Sequence, residues 1–447
     1  MKVNFKNSYL KSILTLITGT TIAQAIPVAI SPILTRLYTP DDFGLFALFL
    51  SITSIISVAV SGRYELAIML PKEKKDAINL LVLSVIISTV LSLIILLIIL
   101  IWGRDIAYTL GNKNIYPWLY FVPFSLFLSG IYQSLNYWSS RYQNYHRLAV
   151  NRVLQTATTG TTNIFLGFAK NGAFGLIIGH MIGQLIATIR LGISSTRSDK
   201  ISMSFIETNK MKTLAKRYDQ FPKISVWSAL LNNASSQLPI FILSAFFSST
   251  IVGWYSLAHR TLKMPMTVLG NAIGQVFFQA SSNLRNIDPL KLKQMTYQSY
   301  KALLNIGIIP ISIVFGFGDI IFSFLFGEAW LPAGEYARLL SIWLLLVFVS
   351  SPLSLLFTVM EKEGTLLLFN ISIFISRILS LFIGALIFKD AFITVLLFAV
   401  SGIIFWFWHC VYILKLVEIP YNKSITYTLF VIMIGLVFSS LLRIMIL

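Results

Sequence analysis

The chain has 447 residues, 56% of them hydrophobic and 12% charged, with mean hydropathy +0.79 and formal net charge +18. So few charges cannot coat a soluble protein of this length, which leaves lipid as the expected solvent. A single cysteine, Cys410, excludes an intramolecular disulfide, and four scattered histidines without acidic or cysteine neighbours at ligand spacing offer no metal site.

Apolar runs of about 20 residues match the hydrocarbon core of a bilayer. Thirteen candidate spans follow along the chain: 12–36, 43–62, 77–101, 115–138, 149–168, 172–193, 222–247, 251–279, 298–325, 333–358, 364–388, 391–414 and 424–447. The first imitates a signal peptide, with a basic start and Ala23-Gln24-Ala25 at a cleavage-like position. Apolar sequence continues to Leu37 and threonines dilute the run, so an uncleaved helix is expected. The third, Ala77 to Ile101, is 25 residues without a charge. The fifth holds "LQTATTGTTN", whose small polar residues suit helix packing in membranes. The seventh holds "LNNASSQLP", with Asn232, Asn233 and Gln237, amides suited either to packing or to a polar cleft.

The eighth span is the anomaly. It carries His259, Arg260 and Lys263, then Asn271 and Gln275. Arg260 and Lys263, at i and i+3, share a helix face. Arg260 lies roughly 13 Å into the span at 1.5 Å per residue. Two cations at that depth cost about 5–7 kcal/mol before compensation, and the span holds no acid. Starting the span near Met264 would leave all three at the interface but shorten it below the usual range. Arg377 lies mid-span in the eleventh, as a cavity cation or an arginine bonded to a neighbouring helix. Arg63 ends the second span beside Glu65, Arg36 and Arg338 read as interfacial anchors, and Arg443 as snorkelling from the last span.

Loop charge sets orientation. With the N-terminus in the cytoplasm, inside connections hold 25 Lys and Arg and outside ones five. The basic excess therefore faces the cytoplasm and needs no nucleic acid. The run at 190–223 reads as a solvated connection that also grips anionic lipid. It divides the chain into a six-helix lobe at 1–200, with the connection beginning near 194, a second at 201–415, and an additional hydrophobic segment at 416–447. The halves echo each other: Gln24, Pro27 and Gly44 answer Gln237, Pro239 and Gly253. Parallel repeats of this kind are a transporter design. In that register Arg260 and Lys263 fall opposite Ser51 and Ser54.

The stretches "SPILTRLYTPDDFGLFAL", "SGRYELAIMLPKEKKDA", "VGWYSLAHRTLKMPMTVLGNAIGQVFF" and "FGEAWLPAGEYARLLSIW" resemble the Wzx-type polysaccharide-export flippases, across most of residues 10–415. That superfamily also holds the multidrug extruders and the peptidoglycan lipid flippase. The resemblance implies an all-α polytopic membrane protein with 12–13 transmembrane helices in two pseudo-repeated six-helix lobes around a central cavity. It implies no enzyme and no cofactor, but a flippase in the bacterial inner membrane. The cargo would be an undecaprenyl-pyrophosphate-linked oligosaccharide, an O-antigen or capsule repeat unit, carried to the periplasmic leaflet by alternating access. Implied partners are that lipid-linked glycan, membrane lipids, and a glycan polymerase and chain-length regulator. Pyrophosphate contacts then fall to Arg260, Lys263, Arg377 and Arg63, and sugar contacts to Asn232, Asn233, Gln237, Asn271 and Gln275. The family often has twelve spans, so residues 416–447 are a departure. A cation-coupled drug extruder and a peptidoglycan lipid flippase stay open as alternatives. A membrane enzyme is disfavoured by short outside connections without paired carboxylates.

Overall fold

A computed structural model describes residues 3–199, 205–285 and 287–446, with side chains described from residue 18 except 266–269, 271, 272 and 275. Among these residues every regular element is helical. In order they are α1 (Val3–Leu37), α2 (Pro40–Ser57), α3 (Tyr64–Ala67), α4 (Lys74–Thr109), α5 (Tyr116–Leu119), α6 (Val122–Arg141), α7 (Tyr145–Phe168), α8 (Ala173–Asp199) and α9 (Thr208–Arg217). Then come α10 (Val226–Phe246), α11 (Ser249–Leu284), α12 (Pro289–Phe326), α13 (Leu331–Leu353), α14 (Leu356–Val359), α15 (Glu363–Phe382), α16 (Ala391–Leu416) and α17 (Tyr421–Ile446).

Each of the thirteen apolar runs coincides with a long helix. Only a helix satisfies its own backbone in lipid, so an apolar run of that length has no other stable form there. Among the described residues eight helices are long and apolar enough to cross a membrane, or nine if the bent pair Lys113–Leu119 and Val122–Arg141 forms one span. This is a multi-pass membrane protein. The long helices outside that set are α1, α7, α10 and α11, which carry the threonines, amides and cations singled out above.

The chain forms two compact units, residues 1–252 and 253–447. In the first, α7 packs on α1 and α8, α4 on α6, and α10 along α2. Gln237 helps hold that last pair, its side-chain oxygen accepting from the Ser51 hydroxyl at 2.9 Å. At one end of α4 the basic connection folds back on the helices, while most of its described charged side chains, Arg190, Arg197, Lys212, Lys216, Arg217 and Lys223 among them, stay exposed. The fold-back buries Leu214 of α9 with Ile68, Ile78, Trp138 and Leu191. Lys210 pairs with Asp76 at 2.9 Å, and the Tyr64 hydroxyl donates to the Ala215 carbonyl at 3.0 Å. An amphipathic helix with one apolar stripe needs a partner surface, and α3 with α4 supplies it.

In the second unit α12 packs between α13 and α17, α13 on α16, and α16 on α15. The last helix is joined to α12 by polar contacts along its length. Tyr300 bonds Thr428 at 2.5 Å, Tyr427 donates to Asn305 at 2.9 Å, and Arg443 reaches Asp319 at 2.6 and 2.9 Å. Arg443 thus does not snorkel; it is ion-paired. Arg338 is also more than an anchor, donating to the Phe315 carbonyl at 2.8 Å and lying 3.7 Å from Asp319.

Candidate substrate-binding cations

α11 runs unbroken past Pro265, so His259, Arg260 and Lys263 lie within a continuous helix, not at its start. At 1.5 Å per residue Arg260 stands about 17 Å from the first residue of α11. Tyr255 and His259, one turn apart, stack with ring centroids 5.7 Å apart. On its other side His259 stacks on Trp343 of α13 at 6.0 Å. Trp343 meets Phe398 of α16 edge-on at 5.0 Å. The Arg377 guanidinium, from α15, lies 5.8 Å from the Trp343 ring and 5.9 Å from Phe398. Four helices thus build one aromatic frame around an arginine. Cation–π contact of this kind is worth about 0.5–2 kcal/mol, depending on desolvation.

Gly402 makes the frame possible. A Cβ there would lie 2.5 Å from the Trp343 ring, so any side chain at this position displaces the tryptophan. The frame leaves two buried donors, Arg377 Nε and Trp343 Nε1, with no hydrogen-bond partner among the described residues. Buried donors ordinarily find an acceptor, and leaving one unmade costs about 1–3 kcal/mol.

Lys263 is exposed and stands one turn along α11 from His259, whose ring stacks on the tryptophan that the Arg377 guanidinium covers. The structure therefore brings together Lys263 and Arg377, with His259 between the aromatic rings. Arg260 is exposed and makes no hydrogen bond or ion pair to a described residue. The carboxylates of lowest exposure lie elsewhere, and each has an arginine beside it: Glu65 with Arg63, Asp199 with Arg147, and Asp319 with Arg443 and Arg338.

Arg63 belongs to the first unit. Gly62 and Arg63 both take left-handed backbone, at φ 61° and 62°, and turn the chain from α2 into α3. Such a conformation is costly for arginine. It carries the guanidinium to 3.7 Å from the fully buried Glu65, which also accepts from Ser61. Burial pushes the Glu65 carboxyl above its ordinary range, against the lowering effects of the Ser61 hydrogen bond, a backbone hydrogen bond and Arg63.

Of the amides, Asn232 is exposed, while Asn233 donates to the Ala229 carbonyl of its own helix at 3.1 Å. The side chains of Asn271 and Gln275 lie outside the described residues. What the sequence reading missed is the aromatic frame. Its one local signal is the Tyr255–His259 spacing of four; Trp343 and Phe398 come from separate helices.

The fold is that of the membrane transporters of the MOP superfamily. The chain is similar to an inward-facing multidrug resistance MATE family transporter of that superfamily, with TM-score 0.70 and 15% identity over 90% of this chain and 98% of that one. It is similar also to the lipid II flippase MurJ in an inward closed conformation, at TM-score 0.73 and 13% identity over 97% and 96%. A third likeness is to a MOP superfamily transporter from Pyrococcus furiosus, noted for the reverse polarity of its binding pocket, at TM-score 0.54 and 15% identity over 97% and 95%. The chain belongs to the family described as polysaccharide biosynthesis protein, whose model matches residues 33–335. A comparison with curated protein sequences finds no match.

Proposed function

We propose that the protein is a flippase for an undecaprenyl-pyrophosphate-linked oligosaccharide, an O-antigen or capsule repeat unit, moved from the cytoplasmic to the periplasmic leaflet of the inner membrane. The observation that carries this reading is the pair Lys263 and Arg377, two membrane-helix cations that lack a carboxylate partner among the described residues. Two phosphates cannot cross hydrocarbon unpaired. Lys263 and Arg377 supply the counter-charge, each hydrogen bond to a charged oxygen contributing about 1.5–3 kcal/mol. Arg260 adds a third cation on the same helix as Lys263, and Arg63 receives the head group at the inner mouth. Asn232, Asn233, Gln237, Asn271 and Gln275 serve the sugar hydroxyls. No covalent step is involved. The N-terminus lies in the cytoplasm, and a glycan polymerase and chain-length regulator act on the delivered unit.

A cation-coupled drug extruder needs an available membrane carboxylate, and the pairing of Asp319 with two arginines argues against that role. A peptidoglycan lipid flippase would use the same cations on the same diphosphate, and the likeness to MurJ keeps it as the second reading. Native mass spectrometry of the co-purifying lipid separates the two by the sugar. Lys263→Ala and Arg377→Ala variants inserted at normal levels are expected to lose surface-glycan display. Unchanged display in the double variant would overturn the proposal.

A further inference from the structure

A cavity of about 520 Å³ lies among α14, α15, α16 and α17, apart from the cation cluster. That volume is within the range of small-molecule sites, about 300–1,000 Å³. Its walls are aromatic: Phe357, Phe369, Trp408 and Tyr412. Leu368 and Trp408, both exposed, stand at its open side. Deep in the wall is His409, 2% exposed, its ring stacked 4.2 Å from Phe369 and 5.3 Å from Phe357. Both His409 ring nitrogens are buried without a hydrogen-bond partner among the described residues.

The lining residues fall into tiers. Thr365 starts α15, Tyr412 stands near the end of α16, and Tyr421 starts α17, so three hydroxyls sit at one end of the cavity. Ser372, exposed, and His409, buried, follow further along, Ser372 roughly 10 Å past Thr365 on its helix at 1.5 Å per residue. The same end carries Lys362 and Lys415, the latter 4.8 Å over the Tyr421 ring, together with Glu363 and Glu418. Mixed charge, then hydroxyls, then an aromatic slot open to the side is the profile of a membrane lipid read from head to tail.

We infer that this cavity binds a diacyl phospholipid with a zwitterionic, amine-bearing head group. Lys362 and Lys415 take its phosphate, and Glu363 and Glu418 its ammonium. The hydroxyls of Thr365 and Tyr421 meet the ester level, and one acyl chain fills the slot beside His409. A purely anionic lipid matches only half of that rim.

Two measurements test this. In native mass spectrometry the purified protein is expected to retain a phosphatidylethanolamine, and Ser372→Trp, which fills the slot, to retain none. In nanodiscs of phosphatidylethanolamine, against nanodiscs of phosphatidylglycerol, amide exchange of the wild-type chain is expected to slow in peptides covering 363–372 and 408–425. The second measurement needs no variant and stands if Ser372→Trp fails to fold. Equal exchange in the two lipids, or a retained lipid that is polyprenyl-linked or indifferent to Ser372→Trp, overturns the inference.

Discussion

Replacing Arg443 with leucine tests how the thirteenth long helix is held. The guanidinium makes two contacts with Asp319, at 2.6 and 2.9 Å, and donates to the Gly316 carbonyl at 2.6 Å. Counted as three hydrogen bonds to or from charged groups, these would sum to about 5–9 kcal/mol. Three features lower that figure. The side chains are 27% and 15% exposed, so water screens them, and Arg338 stays 3.7 Å from Asp319 as a second counter-charge. Polar contacts between membrane helices also average only about 0.6 kcal/mol in measured cycles. We therefore expect Arg443→Leu to destabilise by about 2 kcal/mol. The loss should fall on the end of α17, because Tyr300–Thr428 and Tyr427–Asn305 hold the other half. The assay is a double-mutant cycle with Asp319→Asn, read by reversible unfolding in bicelles, alongside thiol labelling at Ser439→Cys. A coupling energy of about 1–2 kcal/mol is expected, with faster labelling in the leucine variant. Coupling within about 0.3 kcal/mol of zero, the ordinary limit of additivity, would refute the account.

Gly402→Ala places a methyl group 2.5 Å from the Trp343 ring; overpacking of this kind costs about 1–3 kcal/mol, and a shift in tryptophan fluorescence with a lowered Tm checks it. Glu65, raised by burial, binds its proton more tightly folded than unfolded, so its contribution to stability is complete below the ordinary carboxylate value and is lost as pH rises through the raised one. Tm measured from pH 4 to 8 is expected to fall with a slope that Glu65→Gln reduces; identical slopes would contradict the assignment. Leu214→Ala, at a buried site in α9, should cost about 2–5 kcal/mol locally and expose α9 to limited proteolysis, with the membrane helices untouched.

The long helices were legible because a run such as Ala77–Ile101 has one stable form in lipid, and its signal is local. What stayed hidden depends on partners far along the chain. Arg443 reads as a snorkelling terminal cation until the fold sets it 2.6 Å from Asp319. Gln237 and Ser51, 186 residues apart, meet in the same way. The connection around α9 reads as solvated because its charges dominate its composition; Leu214, Ala215 and Tyr218 mark the short apolar stripe that docks it, too brief to stand out among those charges. At the candidate site, Arg260 and Lys263 were conspicuous as charges in an apolar run. Trp343 and Phe398 were not, since an aromatic residue in a membrane helix carries no local mark of what it stacks on.

The polarity of α11 also bears on how the protein is made. A nascent helix meets lipid before its later neighbours exist. On the insertion scale each cation adds roughly 2.5–3.5 kcal/mol, so α11 emerging alone should be a poor candidate for release into the bilayer. It gains the aromatic cover of His259 only when Trp343 of α13 arrives. Synthesis through α13 is then the point at which α11 commits to the membrane, and a chain ending after residue 284 should leave it exposed to aqueous labelling.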